Sequence, residues 1–241
     1  MFDGRFGFFK AHVQDKDYSF AFARARDRLG EDWEALKIAP KAYPCGHYIQ
    51  PLIEAALVLR GQHDITPEQI VSIRCLMPAH VMPLVAEPVA EKRRPKTAFH
   101  GRFSLQHAMT EAMIQGTLDN RSFDTPNLTN PRYNDLADKV HAIVDPNATD
   151  RSQLGGQVEI ELLGGGKVAL TVEHMRGVPQ NPMTTDDVVR KFHSNVGGLF
   201  PAHKIDRIID IVMSLDGMNE IQPLMAACRT RMKSHTRRLC V

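Results

Sequence analysis

The segment KAYPCGHYIQPLIEAALVL, residues 41–59, combines a cation, an imidazole and the start of an amphipathic helix. Helix N-termini expose unpaired N–H groups and carry about half a positive charge, so a helix that begins near Pro51 offers an anion site. Lys41 adds a full positive charge, and His47 adds a proton that is mobile near neutral pH. Together these groups could hold a carboxylate and move a proton beside it. The alternative interpretation makes Lys41 a solvated surface residue and His47 a capping residue.

A second histidine, His107, lies in the segment SLQHAMTEAMIQG, residues 104–116, which predicts a helix ended by Gly116. Its neighbours Leu105 and Ala108 are apolar, and a histidine in such surroundings is more often a core residue than a catalyst. The other histidines show neither an HExxH motif nor comparable ligand spacing, so no metal site is predicted.

The composition excludes several classes of protein. The chain has 241 residues, of which 43% are hydrophobic and 24% charged, as is ordinary for a globular protein. Its net charge of +2 gives no overall attraction for nucleic acid. The 4 cysteines contain no CxxC pair, which suits a reducing compartment. Because the sequence has neither a long apolar span nor a signal-peptide layout, we expect a cytoplasmic protein without membrane or nucleic-acid partners.

The clearest local pattern is QVEIELLGGGKVALTVEH, residues 157–174. Apolar and polar residues alternate on both sides of three glycines, which predicts an antiparallel hairpin with one buried face. A phosphate-binding loop is the alternative for GGGK. It is disfavoured because alternation with period 2 continues after Lys167, whereas a phosphate loop opens a helix.

The rest of the chain predicts an α+β middle between helical ends. In TPEQIVSIRCLMPAH, residues 66–80, alternation predicts a strand. The strand residues predicted to share one face are Val71, Ile73, Cys75 and Met77. The other predicted elements are a helix at 17–29, a loop and short strand at 29–38, a helix near Pro51, a loop at 80–98, a helix at 130–140 that runs into a strand, and helices across 184–228.

Five segments follow one another across nearly the whole chain: FDGRFGFFKAH, KAYPCGHYIQPLIEA, GRFSLQHAMTEAMIQG, NPRYNDLADKV and RGVPQNPMTTDDVVRKF. In this order they resemble the successive sequence blocks of the MmgE/PrpD family. That family includes 2-methylcitrate dehydratase, cis-aconitate decarboxylase and iminodisuccinate epimerase. The resemblance carries expectations about architecture, chemistry and individual residues.

The resemblance implies an α+β lid domain inserted into an all-helical domain. Residues 1–40 and 179–241 would belong to the helical domain, and residues 41–178, with the antiparallel hairpin, would form the lid. Most of the helical domain would then lie outside these 241 residues, so the chain resembles the C-terminal part of a longer enzyme. The four phenylalanines among the first nine residues are expected to pack either on their own domain or on a preceding region.

The resemblance also implies chemistry. Family members act without a redox cofactor on small di- and tricarboxylates, and a base removes a proton next to a carboxylate. The chain is therefore expected to be a lyase similar to 2-methylcitrate dehydratase when the missing half complements it, with no cofactor. The expected partners are a carboxylate substrate and either a second copy of the chain, in a homodimer, or a chain that carries the N-terminal helical half.

Individual positions carry over from the family pattern. Lys41, His47 and His107 match positions expected to be catalytic, and Lys41, Tyr48 and Gln50 match positions expected to bind substrate. Two of them depart from the pattern. Many relatives have a tyrosine in place of His107 and a histidine in place of Gln50. The first change alters the pKa and reach of any proton donor at that position.

Three alternatives to the dehydratase interpretation remain. The chain could belong to an epimerase or a decarboxylase of the same family, because these reactions share the early proton abstraction. It could be a non-catalytic remnant that binds carboxylates or a protein. It could also be an oligomerisation module, since the apolar stripes in residues 205–228 predict burial against a partner.

Overall fold

The computed structural model describes residues 7–8, 27–148 and 154–229. The chain divides into two compact units, Met1–Ile38 and Ala39–Val241. The predicted helix at 17–29 lies almost wholly outside the described residues, as do most of the N-terminal phenylalanines. The domain boundaries predicted after residues 40 and 178 stay predictions.

In the first unit, residues Glu34–Lys37 form one 3-10 turn. The short strand predicted in this segment is wrong. The Lys37 ammonium donates to the Glu34 carboxylate at 2.8 Å, three residues earlier. Such a pair across one turn favours helical over extended backbone.

The second unit contains the other described helices and strands. Its helices are α1 (Gln50–Gln62), α2 (Met82–Val85), α3 (Val89–Arg93), α4 (Ala98–Arg102), α5 (Leu105–Gln115), α6 (Thr125–Leu128), α7 (Pro131–Asp138), α8 (Thr185–Val196), α9 (Ala202–Met213) and α10 (Gln222–Cys228). Its strands are β1 (Ile70–Met77), β2 (Val140–Val144), β3 (Gly156–Leu162) and β4 (Lys167–Val172).

In the described residues, the strands form one 4-stranded sheet in the order β2-β1-β3-β4. Strand β1 pairs in parallel with β2, with Ile73 opposite Val140. It pairs antiparallel with β3, with Cys75 opposite Val158. Strands β3 and β4 form the predicted hairpin. The predicted α+β class is therefore confirmed.

One residue of β1 was assigned to the wrong face. The register between β1 and β3 shifts between Ile70 and Ser72, so Val71 is the extra residue of a bulge. A bulge reverses the alternation of side chains on one side of it. Val71 is accordingly 42% exposed, and Ile70 takes the buried place beside Ile73.

The segment 80–98 was predicted to be a loop but contains α2 and α3. Pro83 lies in the first turn of α2, where a proline fits because its missing N–H would be unpaired there. The Lys92 ammonium donates to the carbonyls of Leu84, at 2.8 Å, and Phe103, at 2.7 Å. This buried lysine ties both ends of the segment to the start of α5.

The core lies between the sheet and helices α1 and α5. Helix α1 begins at Gln50, as predicted, directly after a 3-10 turn at His47–Ile49. Its Leu52 and Ile53 are fully buried. Burial of one such side chain contributes about 1.5–3 kcal/mol. Helix α5 is buried from Leu105 to Met113 and ends at the left-handed Gly116, as predicted.

Helices α8 to α10 confirm the helical prediction for residues 184–228, with breaks between them. Thr184 caps α8, since its hydroxyl accepts from the Asp187 N–H and the Asp187 carboxylate accepts from the Thr184 N–H. Within the described parts of the chain, no helix has the length and apolar character needed to cross a membrane.

Candidate functional site

The loop before α1 is held in a fixed conformation by Gln50. The Gln50 amide donates to the Tyr43 carbonyl at 2.8 Å and accepts from the Tyr43 N–H at 3.2 Å. The Gly46 N–H donates to the Arg102 carbonyl at 2.9 Å, which fastens the other end of the loop to α4. Gln50 is only 1% exposed, so its side chain is bonded to the loop and points away from solvent.

Three cationic groups converge on this loop. The Lys191 ammonium, on α8, donates to the Lys41 carbonyl. Partial burial and the charge of Lys41 both lower the pKa of Lys191. The same two causes lower the pKa of His47, which remains exposed. Among the described residues, neither Lys41 nor Lys191 forms an ion pair with a carboxylate. The structure therefore brings Lys41 and His47 together, as predicted, and adds Lys191.

A cavity of about 380 Å³ is lined by Lys191 and by the loop residues that follow Lys41. Residues 42–44 of the loop, residues 117–119 and helix α8 form its walls. The charged side chains in its lining are Asp119, Arg176, Asp187, Arg190 and Lys191. Its volume suits a small organic acid.

An ion network forms one side of the cavity. Asp187 accepts from Arg176 at 2.5 Å and also from Arg190. The Arg176 hydrogen bond is the main reason why the pKa of Asp187 lies well below its usual range. Arg176 also lies 3.8 Å from Glu54 of α1, so the network links α1, the turn after β4 and α8. With Asp187 neutralising much of the charge on the two arginines, the unpaired positive charge lies at Lys41 and Lys191.

Tyr43 lies on the same side of the loop. Burial is the main cause that raises its pKa to about 12, and the charge of Glu54 adds to this. The phenol therefore stays protonated at neutral pH. Tyr43 and Lys191 were not singled out from the sequence, although both lie within the family-like segments KAYPCGHYIQPLIEA and RGVPQNPMTTDDVVRKF.

Tyr48, predicted to bind substrate, is half-buried in the turn before α1. Its ring lies edge-on to the His80 ring, with the centroids 5.8 Å apart. The contacts of Tyr48 and Gln50 are thus with the surrounding protein, and both residues support the loop that carries Lys41 and His47.

His107 lies deeper, in the first turn of α5, and is 3% exposed. Its Nε2 atom is 3.2 Å from the Ser122 carbonyl, and burial lowers its pKa. The His107 ring packs against Phe123, and the Arg102 guanidinium lies over that same Phe123 ring, 5.0 Å from its centroid. Arg102 also donates to the Pro44 carbonyl at 3.2 Å. Arg102 and Phe123 therefore connect His107 with the loop at residues 41–47.

This part of the chain matches known proteins. The MmgE/PrpD C-terminal domain covers residues 43–217, which include His47, Gln50, His107 and Lys191. The chain belongs to the MmgE/PrpD family. Lys41 lies two positions before the matched range. The resemblance drawn from the five sequence blocks is confirmed.

Two relatives within this family are both cis-aconitate decarboxylases. The chain is 26% identical to the one from Aspergillus terreus over 219 aligned residues. These residues make up 86% of this chain and 43% of that protein. It is 22% identical to the one from Mus musculus over 193 aligned residues. These residues make up 78% of this chain and 38% of that protein. The chain thus spans about two fifths of the length of the curated relatives that it matches.

Proposed function

We propose that this chain is the C-terminal portion of an MmgE/PrpD enzyme that acts on small di- or tricarboxylates. The reaction begins with removal of a proton next to a carboxylate and uses no redox cofactor. The observation that carries this proposal is the convergence of Lys41, Lys191 and His47 on one loop, with Lys191 also lining a cavity of about 380 Å³.

Electrostatics supports a polyanionic ligand. Burial, and after it the charge of Lys41, lowers the pKa values of Lys191 and His47, so a positive charge on either group is disfavoured in the absence of a ligand. A bound carboxylate would reverse this destabilisation at both lysines. A second carboxylate on the same ligand would fix the orientation of the C–H bond between them, which is what proton abstraction requires.

The loop residues and Lys191 have separate roles in this proposal. Lys41 and Lys191 bind carboxylates. His47 is exposed, and its lowered pKa keeps the imidazole neutral at neutral pH, so it can accept the substrate proton. The Tyr43 phenol stays protonated and can donate to a substrate oxygen. Gln50 and Tyr48 maintain the loop.

After proton removal, loss of hydroxide as water completes a dehydration of the 2-methylcitrate dehydratase type. Loss of carbon dioxide from a bound carboxylate leaves an electron pair on carbon, and protonation of that carbon without any earlier proton removal would instead make the enzyme a decarboxylase. The names of the two relatives favour this second candidate. Removal of the proton and its return on the opposite face would make it an epimerase. All three reactions place negative charge on a carbon next to a carboxylate, beside the same cations.

The remaining catalytic groups belong to a helical half that this chain does not supply. The chain spans about two fifths of its relatives, and its exposed apolar groove between α8 and α9 offers a surface for that half. The groove is lined by Val188, Val189, Phe192, Ile208, Ile209, Val212 and Met213. A second copy of the chain is the other partner that this surface could take.

The test combines binding and turnover. Calorimetry measures citrate and cis-aconitate binding to the chain co-expressed with an N-terminal helical half. K41M and K191M should each weaken binding at least about tenfold, because a charge-assisted contact contributes about 1.5–3 kcal/mol. The exposed Lys167 of β4 supplies the control variant K167M, which should bind as the wild type does.

Turnover then separates the reactions. Dehydration forms a carbon–carbon double bond, which is measured by its ultraviolet absorbance, and releases no carbon dioxide. Decarboxylation releases carbon dioxide. Binding without turnover in the complex would indicate a carboxylate-binding module. Unchanged binding in both K41M and K191M would overturn the proposal.

A further inference from the structure

A second titratable cluster lies in the core, beneath the loop. Glu111 follows His107 by one turn of α5, and the two side chains are 0% and 3% exposed. The Glu111 Oε1 atom is 3.8 Å from His107 Nε2. Acidic side chains are almost never fully buried unless they are paired, so this carboxyl needs an explanation.

The two oxygens of Glu111 have different surroundings. Oε2 accepts from the Tyr133 hydroxyl at 3.4 Å, and that hydroxyl accepts from the Gln115 amide at 2.7 Å. Oε1 is buried and has no hydrogen-bond partner within the described part of the chain. It is directed to the same face of α5 as His107, and a small movement would bring it within hydrogen-bond distance of Nε2.

The position of Nε2 fixes the proton arrangement of the imidazole. Nε2 lies between the Ser122 carbonyl, at 3.2 Å, and Glu111 Oε1, at 3.8 Å. A carbonyl oxygen can only accept a hydrogen bond, so Nε2 carries the proton of its hydrogen bond with Ser122. In the neutral ring the lone pair then lies on Nδ1, which is the nitrogen free to accept another proton.

The other charged groups around this pair are accounted for. The negative charge of Asp119 opposes ionisation of Glu111, and the hydrogen bond from Tyr133 and the nearby Asn127 amide favour it. Arg132 acts on the Tyr133 hydroxyl. The cations on the other helices packed against α5 are bonded elsewhere, since Lys92 donates to Leu84 and Phe103 and Arg60 donates to the Met113 carbonyl. His141, on β2, is exposed.

Burial drives the two partners in opposite directions. It raises the pKa of Glu111 to about 7 and lowers the pKa of His107 below its ordinary value. Below about pH 7, and above the lowered pKa of His107, the carboxyl therefore holds a proton beside a neutral imidazole. Neither group is charged at rest, which is how a buried pair without other counter-ions is tolerated.

We propose that Glu111 is a positioning residue for His107, and that the two side chains form a buried pair that binds a single titrating proton. Glu111 orients the imidazole through Nε2, and its carboxylate stabilises the imidazolium that forms when Nδ1 accepts a proton. The pair acts as a base when it holds no proton and as an acid once it holds one. Its use in catalysis rests on the proposed function, whereas the shared proton does not.

The experiment is an NMR titration of the His107 imidazole and the Glu111 carboxyl in the full chain, with H107N identifying the histidine resonance. In the wild type the His107 resonances should report the loss of the Glu111 proton at about pH 7, and in E111Q this step should be absent because an amide does not titrate. E68Q is the matched control, since Glu68 is exposed and paired with Arg132. It should leave the His107 titration unchanged.

Y133F provides a second measurement should E111Q fold poorly. It keeps the ring that stacks on His107 and removes the hydroxyl that donates to Glu111, so the pKa of Glu111 should rise further. The proposal is overturned when the step at about pH 7 in the His107 resonances persists in E111Q, or when the pKa of Glu111 is unchanged in Y133F. Turnover by the complex together with independent titration would remove this inference and keep the proposed function. Coupled titration in a complex without turnover would do the opposite.

Discussion

Asp187 and Glu111 are both largely buried carboxyl groups, but their surroundings drive their pKa values in opposite directions. Asp187 accepts hydrogen bonds from two arginines and a helix N-terminus, which hold its pKa well below the usual range. Glu111 has only neutral donors, and burial raises its pKa to about 7. A nearby cation, more than the depth of burial, therefore decides whether a carboxyl group in this protein stays ionised or binds and releases a proton near neutral pH.

The two histidines repeat the comparison. His47 lies at the solvent beside Lys41, and His107 lies in the core beside Glu111. Both have lowered pKa values. In His107 burial is the dominant cause, whereas in His47 a second cation adds to partial burial.

The largest expected effect comes from removing the fixed charge. In D187A, Arg176 and Arg190 lose their common partner and α8 loses the capping interaction with Thr184. We expect the melting temperature at pH 7 to fall by about 5 °C or more. Asp186, exposed in the same turn, gives the control D186A, which should melt close to the wild type. Equal melting temperatures for the two variants would show that the network does not stabilise the fold.

A smaller effect concerns stability against pH. In the folded state, above the lowered pKa of His107 and up to about pH 6.5, Glu111 holds a proton and His107 none, whereas in the unfolded state the proton sits on the histidine. The pair binds one proton in both states, so its contribution to the free energy of unfolding is flat there. Above pH 6.5 the folded pair still binds a proton that the unfolded chain has released, so this contribution declines towards pH 7.

In E111Q only His107 titrates, and its folded-state pKa is lowered. The free energy of unfolding of E111Q, relative to the wild type, should therefore rise with pH up to about pH 7, by at most about 1.4 kcal/mol per pH unit. Urea unfolding at a series of pH values measures this difference, in which all other titrating groups cancel. A difference that does not change with pH would contradict a buried neutral His107.

The smallest effect separates the two histidines by salt. Dissolved ions screen the interaction of His47 with Lys41, so the pKa of His47 should rise by a few tenths between about 0.01 and 0.5 M salt. The pKa of His107, which depends mainly on burial, should stay nearly constant. K41M should raise the pKa of His47 in the same direction without added salt. NMR titration at the two salt concentrations decides, and equal responses of the two histidines would remove the distinction.

Local patterns predicted the elements whose causes are local. The hairpin follows from alternation around three glycines, and the ends of α5 follow from Ser104 and Gly116. Val71 could not be placed, because its bulge depends on the pairing of β1 with β3. The same limit applies to the site. Lys41 and His47 are neighbours in the chain and were found, whereas Lys191 reaches them only through the tertiary fold.

Gln50 shows a different kind of limit. The family pattern placed it among substrate-binding residues, but its amide is bonded to the backbone of the loop. These hydrogen bonds to Tyr43 depend on the folded loop and could not be predicted from the sequence, and the substrate-binding role of Gln50 stays a prediction. Glu111 was not predicted as a site residue, because its spacing from His107 is also that of an ordinary pair on a helix surface.

Strands β1 and β2 pair in parallel although residues 78–139 separate them along the chain. A crossover of this length makes the contact order of the sheet high. Such pairings form slowly, because the entropy cost of closing the loop comes before the strand contacts can stabilise it. His107, Glu111 and Tyr133 all lie within this crossover. The Glu111 carboxyl gains its Tyr133 donor and its separation from water only when α7 is docked on α5, so the closed crossover is also what keeps its proton away from water.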